Sequence, residues 1–370
     1  MIIDQITRPT LVIDLDKVEK NLDYMLQKAE NQNVKFVPHF KTHQSKVIGE
    51  LYRRKGVDAI TVSSVKMAQY FAKYGWTDIT IAFPINTLEI AALNDLIEAG
   101  IQLTFLINHL EVVQVLEDQL LGEVDAFIEI DAGYGRSGVP ASDSFLVQEI
   151  SLAIKDSKFL KLKGLYSHPG DTYACSSVKD IQDLWFNARE KVIGLKEQVF
   201  SQDDEVLVRM GDTPGCSIVE NFAGVDEIGP GNFIFYDLVM NYLNVCDESD
   251  IAVALAAPVV SKSVERQEII IHGGAVHLSK DHLFDENEKK FFGEMVVFTE
   301  EGWSPIIADV KLKSVSQEHG ILSVSEEIFN KIELGDIVGI LPIHSCLTAN
   351  LMKEYLTLGG ERIMHLEKEF

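Results

Sequence analysis

The sequence is short of positive charge. Against 57 acidic residues it carries 33 lysines and arginines, a formal net charge of −24 over 370 residues. A chain without a basic field does not draw in phosphate backbones or anionic lipid, so neither nucleic acid nor a membrane surface is expected as a partner. Long apolar runs are missing as well. The clearest, IAVALAAPVV at 251–260, is too short to cross a bilayer and reads as a buried strand. The opening MIIDQITRPTLVIDLD has acids where a signal peptide needs a basic patch and an apolar stretch. Cysteine is scarce: Cys175, Cys216, Cys246 and Cys346 lie far apart and form no C-x-x-C pair. Reduced thiols in a cytoplasmic protein are the expectation. The 25 glycines and 10 prolines are scattered, with no low-complexity tract and no solenoid repeat.

What is present is alternation. Short β-rich runs lie at VKFVP (34–38), DAITV (58–62), ITIAF (79–83), LTFLI (103–107), DAFIEI (125–130), LKGLY (162–166), EVLVRM (205–210) and DEIGP (226–230). Amphipathic stretches separate them, such as SSVKMAQYFAKYG (63–75) and TLEIAALNDLIEAG (87–100), each closed by a glycine at the C′ position. A further helix, DKVEKNLDYMLQKAEN (16–31), precedes the first strand. Eight strands with helical partners predict an α/β fold, a (β/α)8 TIM-type barrel over residues 10–244. Beyond about residue 245 strands follow one another with little helix, which predicts an all-β domain over 245–370, joined by residues 1–9.

Barrels of this kind carry their chemistry at the C-terminal ends of the strands. The first strand ends in VPHFKTHQ, with His39, Lys41 and His43; the fifth in DAGYGRSG, with Asp131 and Arg136; the sixth in YSHPGDTY, with His168 and Tyr173. The seventh ends in GDTPGCS and the eighth in GPGNFIFYD. Glycine-rich turns after strands seven and eight suit a phosphate held by backbone amides. A lysine pointing into the mouth, with its pKa lowered by partial burial, is a usable amine nucleophile. Lysine plus phosphate cradle is what a pyridoxal 5′-phosphate (PLP) site requires.

Near the C-terminus, LPIHSCLTAN (341–350) places His344 and Cys346 two residues apart. In an extended segment both would face one side. Imidazole and thiolate suit a soft or borderline metal, but two ligands do not close a structural site. The stretch alone leaves two readings open: half a metal site completed by water and substrate, or a strand end with two polar residues.

Together these segments resemble the alanine-racemase-type (fold type III) PLP enzymes, in the branch of D-serine dehydratase and D-threonine aldolase. The resemblance runs in order through TRPTLVIDLDKVEKNL (7–22), VPHFKTHQ (37–44), DAGYGRSGV (131–139), YSHPGDTY (166–173), GDTPGCS (211–217), EIGPGNFIFYD (227–237), LSKD (278–281), EHGIL (318–322) and LPIHSCLTANL (341–351). It implies a PLP-binding barrel, a C-terminal β domain and a head-to-tail homodimer. By the same resemblance Lys41 would bond PLP covalently, Arg136 would sit near the cofactor ring and substrate carboxylate, and Tyr173 would meet the pyridine nitrogen. Gly211, Thr213, Gly231 and Asn232, with Tyr236 nearby, would hold the phosphate; His344 and Cys346 would bind Zn2+ beside the substrate's β-hydroxyl.

The implied reaction is β-elimination from a D-3-hydroxy amino acid such as D-serine, giving a 2-oxo acid and ammonia. In the resembling families dehydratases carry His-x-Cys at the metal position and aldolases His-x-Asp, so retro-aldol cleavage is the alternative. A racemase, or a PLP-binding protein without activity, stands further off. The chain departs from the family around IIHGGAVHLSKD (270–281), where His272 and His277 stand near the places of an acidic residue and a lysine. That departure leaves the substrate's identity open.

Overall fold

All eight barrel strands expected from the sequence form. In a computed structural model that describes residues 2–369, they run Lys35–Phe36, Ala59–Val62, Asp78–Pro84, Gln102–Ile107, Val124–Asp131, Leu160–Ser167, Leu207–Met210 and Glu227–Ile228. Neighbours pair in parallel in that order, and the eighth returns to the first through Glu227↔Lys35. A parallel bridge between His39 and Thr61 spans the remaining gap. The eighth strand is only two residues long because Gly229, Pro230 and Gly231 follow it, and proline has no N–H for a ladder.

The glycines end the helices as the pattern requires. Val65–Lys73 is capped by Ser64, whose side chain accepts from the Met67 N–H, and Gly75 beyond it has φ +86°. Ile90–Glu98 gives way to Gly100 at φ +81°. Only glycine adopts that left-handed conformation without steric cost.

The barrel interior is not purely apolar. Arg209, on the seventh strand, is fully buried. Its guanidinium donates to Thr80 Oγ1 at 2.9 Å, to the Val37 carbonyl at 3.0 Å and to Thr61 Oγ1, and lies 3.5 Å from the Glu227 carboxylate. The rings of Tyr166 and Phe127 stand 5.8 and 5.9 Å from it. One cation thus ties together strands one, two, three and eight.

The chain divides into two interleaved units. The barrel unit is Tyr24–Lys41 with Gly49–Gly231; the other holds the chain up to Asp23, Thr42–Ile48 and the chain from Asn232 onward. In the second unit nine strands form one sheet. Six of them close on themselves, since Glu268–His272 pairs both with His319–Ser323 and with Val253–Ser263. The run read as a buried strand is that Val253–Ser263 strand, whose Leu255, Ala257 and Val259 pack with Ile269, Ile271, Leu312, Leu322 and Ile340 in the core. Among the described residues no helix is long and apolar enough to cross a membrane.

Candidate active site

In the barrel unit, Lys41 is half-buried just past the first strand, with its backbone N–H donated to His39 Nδ1 at 3.3 Å. His39 is buried, and its pKa lies well below the usual histidine value because burial and then the charges of Lys41 and Arg209 oppose protonation. His168, on the sixth strand's end, is held down to about 3 by burial, with Lys41 and Arg136 acting the same way. Its Nδ1 bonds the Gly211 carbonyl, an acceptor, so Nδ1 carries the proton of the neutral ring. The lysine is therefore flanked by imidazoles kept uncharged.

The turns beyond strands six, seven and eight are set by close approach. A Cβ on Gly211 would lie 2.9 Å from the Gly229 carbonyl, and one on Gly170 would run into the Tyr134 ring at 2.4 Å. Gly211 meets backbone and has no room for a side chain, whereas a side chain at Gly170 would have to displace the exposed Tyr134 ring. Thr213 opens a short helix, Thr213–Ile218, and its N–H donates to the Tyr173 hydroxyl at 3.1 Å. Asp212 caps that helix through the Gly215 N–H and accepts from Thr172 Oγ1 at 2.9 Å; burial pushes its pKa up to about 7. Arg136 is exposed, with its guanidinium over the Tyr134 ring at 5.4 Å. A strand-end amine, two neutral imidazoles and glycine turns rich in backbone amides form a donor set that fits PLP.

In the β unit, the strand Ile337–Pro342 delivers His344 and Cys346, but the pair does not lie on a strand. Ser345–Met352 is a helix with His344 at its N-cap position. The two side chains converge because the chain turns from strand to helix between them, not through strand alternation. His344 Nδ1 lies 2.9 Å from Asp281 Oδ2. Burial alone would lower the His344 pKa, yet the hydrogen bonds to Asp281 and Cys346 push it up to about 11. With Nδ1 engaged by Asp281, the nitrogen left for Cys346 is Nε2. The Cys346 sulfur is 3.2 Å from Thr42 Oγ1 and 3.5 Å from Asn232 Nδ2. An imidazole and a thiol facing one another, with a carboxylate behind the imidazole, is a donor set that fits zinc.

Asn232 is buried here too. Its Nδ2 donates to Asp237 Oδ2 at 2.6 Å and to Ser345 Oγ at 3.1 Å. Asp237, whose pKa burial raises, also accepts from the Ser345 N–H at 3.0 Å and from Met240 N–H. Tyr236 is buried at φ +47°, and Gln44, three residues past Lys41, has φ +45°. Such backbone in a non-glycine residue costs about 1–3 kcal/mol and concentrates at functional sites.

The structure therefore gathers Lys41, Tyr173, Gly211 and Thr213 at the strand ends of the barrel unit, with Gly231 as that unit's last residue. Asn232, Tyr236, His344 and Cys346 belong to the β unit. Residue patterns give no role to Thr42, Asp237, Asp281 or Arg209, although Asp237 and Asp281 end two of the resembling segments, EIGPGNFIFYD and LSKD.

A (β/α)8 barrel with a lysine at the end of its first strand and glycine turns after its seventh suits a cofactor-bearing barrel of the PLP type. Residues 13–237 match the alanine racemase N-terminal domain, and residues 252–358 a serine dehydratase domain. The chain belongs to the alanine racemase-type, fold type III family of PLP proteins. The D-threo-3-hydroxyaspartate dehydratase of Delftia sp. strain HT23 is 29% identical over 95% of this chain and 94% of its own. Its solved structure superposes with a TM-score of 0.89, covering 97% of both chains at 26% identity. Solved variants of that enzyme replace a histidine and a cysteine two positions apart, and the cysteine variant is described as metal-free. The D-serine dehydratase of Dictyostelium discoideum is 27% identical over 97% of this chain and 95% of its own. A 3-hydroxy-D-aspartate aldolase of Paracoccus denitrificans is 23% identical over 97% of this chain and 90% of its own.

Proposed function

We propose that the chain is a PLP- and zinc-dependent lyase that converts a D-3-hydroxy amino acid such as D-serine to a 2-oxo acid and ammonia by β-elimination. The observation that carries the reading is the His344–Cys346 pair, with His344 Nδ1 bonded to Asp281 at 2.9 Å. A thiol ligand selects zinc over magnesium or manganese. Lys41, Arg136, Tyr173, Gly211, Thr213, Gly231, Asn232 and Tyr236 would hold the cofactor. When bound, PLP supplies an electron sink for the substrate's α-carbon, and zinc a Lewis acid for its β-oxygen.

The chain's own residues supply the rest. The Lys41 amine is the base for the α-proton. Neutral His39 and His168 add no positive charge beside that amine, which would otherwise lower its basicity. Arg136 offers the cation for the substrate carboxylate. Asp281 keeps the proton of His344 on Nδ1 and so leaves the Nε2 lone pair for metal. The Asn232 amide points its N–H at the Cys346 sulfur, which favours the thiolate.

A panel of D-3-hydroxy amino acids, scored for ammonia plus oxo acid against glycine plus aldehyde, tests the reading. Ammonia with oxo acid is expected; aldehyde with glycine from every substrate would replace it with the retro-aldol reading, which the aldolase relative's match over 97% of the chain supports. A head-to-tail homodimer is part of the proposal. Light scattering returning the mass of one 41.4 kDa chain would remove it.

A further inference from the structure

His272, His277 and Glu318 lie in the β unit and take no part in the proposed reaction, yet their donor atoms all fall within 4.8 Å of one another. The backbone brings them together. His272 ends the strand Glu268–His272, opposite His319 in the ladder. Gly273 N–H donates to the Glu318 carbonyl at 2.9 Å, and Ala275 and Val276 N–H donate to the carbonyls of Ser316 and Gln317 at 2.7 and 3.1 Å. The turn before Glu318 is thereby fastened to the start of the short helix that carries His277.

Glycine makes the approach possible. A Cβ on Gly274 would lie 2.4 Å from the Ser316 carbonyl and 2.6 Å from the Glu318 carbonyl carbon, and one on Gly320 would lie 2.6 Å from the Gly273 oxygen. These glycines flank the three donors in sequence, so the arrangement is built into the backbone.

Hydrogen bonding alone accounts for only part of the spacing. His272 Nε2 and His277 Nε2 lie 3.4 and 3.7 Å from the same oxygen, Glu318 Oε2. The first is a long hydrogen bond and the second lies beyond hydrogen-bond reach. Ligands at zinc, with bonds of about 2.0–2.2 Å, lie roughly 3.3–3.5 Å apart at the corners of a tetrahedron. His277 is the least exposed member, with its side chain 14% exposed; His272 and Glu318 are more open to solvent, which leaves room for water to complete the shell.

We propose that His272, His277 and Glu318 form a second, open divalent-cation site, independent of the His344–Cys346 pair, that takes zinc or a similar imidazole-seeking metal. Two imidazoles and a carboxylate are a zinc ligand set, and the −24 charge of the chain favours cation approach. His277 Nδ1 now accepts from the Gly274 N–H at 3.1 Å, which puts the ring proton on Nε2. Metal binding at Nε2 moves that proton to Nδ1 and breaks the bond to Gly274, with no net proton released.

Cobalt separates the two sites, because a thiolate ligand gives an intense near-ultraviolet charge-transfer band and a nitrogen–oxygen site does not. Chelator-treated full-length protein titrated with Co2+ should take up two equivalents, of which one carries the band. His272→Gln and Glu318→Gln, each checked for native circular dichroism, should lose the band-free equivalent and keep the other. Cys346→Ala should show the reverse. Band-free uptake that persists in both the His272→Gln and Glu318→Gln proteins, or its absence in the wild type, overturns the second site. Loss of the band alone in the wild type counts against the His344–Cys346 assignment and leaves this one standing.

Discussion

Asp281 Oδ2 lies 2.9 Å from Nδ1 of His344, 63 residues further along the chain. The carboxylate fixes both the tautomer and the plane of the ring, as carboxylates behind metal-bound histidines do. Asp281→Ala should weaken zinc binding by roughly 10–100-fold, measured by competition with a chromophoric chelator. Asp281→Asn, whose amide oxygen can still accept from Nδ1, should recover part of that loss. The PLP absorbance should not change in either variant. Equal zinc affinity in Asp281→Ala and wild type would show that His344 does not depend on this contact.

Cys346 and Lys41 separate the two proposed cofactors. Cys346→Ala should lose about one zinc per chain and stay yellow, since Lys41 is untouched and Asn232, which loses its contact to the sulfur, keeps its bonds to Asp237 and Ser345. Lys41→Ala should no longer be labelled with PLP after borohydride reduction, while its metal content holds. A Cys346→Ala protein that keeps all its zinc would reassign the metal; a wild-type protein that takes up no PLP would remove the enzyme reading.

Much of this was legible in the residues because the two strongest local signals agree. Apolar runs of strand length and glycines at helix ends located all eight barrel strands, and Gly75 and Gly100 sit at positive φ where the pattern requires them. The site was legible less evenly. Cys346 was found, but on a geometry the backbone overrides: an extended LPIHSCLTAN would set it beside His344, whereas a strand-to-helix corner brings the two together. Asp281 was invisible as a partner because its role is a contact across 63 residues. Arg209 was unreadable for a related reason. A strand arginine usually reaches solvent, and only barrel closure turns this one inward onto Thr80 and Val37. His272, His277 and Glu318 come from a strand, a helix and a turn whose convergence rests on glycine contacts no spacing reveals.

Arg209 and Glu227 form an ion pair at 3.5 Å with both side chains buried. Arg209→Met removes the cation and leaves the carboxylate inside the barrel with Lys163, 3.8 Å away, as its remaining cationic neighbour. The expected loss of stability is about 3–5 kcal/mol, the range for breaking a buried pair from one side. Glu227→Gln should cost less, because Arg209 keeps its bonds to Thr80, Thr61 and Val37. Urea unfolding checks both. An unfolding free energy for Arg209→Met within about 0.5 kcal/mol of wild type, the scatter of ordinary surface substitutions, would mean that the barrel interior does not rely on this strut.

Acid should destabilise the fold through its buried imidazoles. Burial holds His168 and His43 down to about 3, against an ordinary 6.5. Below 6.5 the unfolded chain binds a proton at each position that the folded chain refuses. Their contribution is therefore complete above about pH 6.5 and is lost progressively as the pH falls toward 3. At pH 5.5 the fully buried His43 has forfeited about 1.4 kcal/mol, one pKa unit's worth, and the partly buried His168 up to that amount. The buried His39 acts in the same direction. Urea midpoints taken from pH 7.5 down to 5.5 should fall, and calorimetry should record proton uptake on unfolding. His43→Gln, which has no proton to gain, should flatten part of that slope while leaving the share due to His168. A midpoint independent of pH across this range would mean that these rings are charged in the folded protein, and the neutral surroundings argued for Lys41 would go with them.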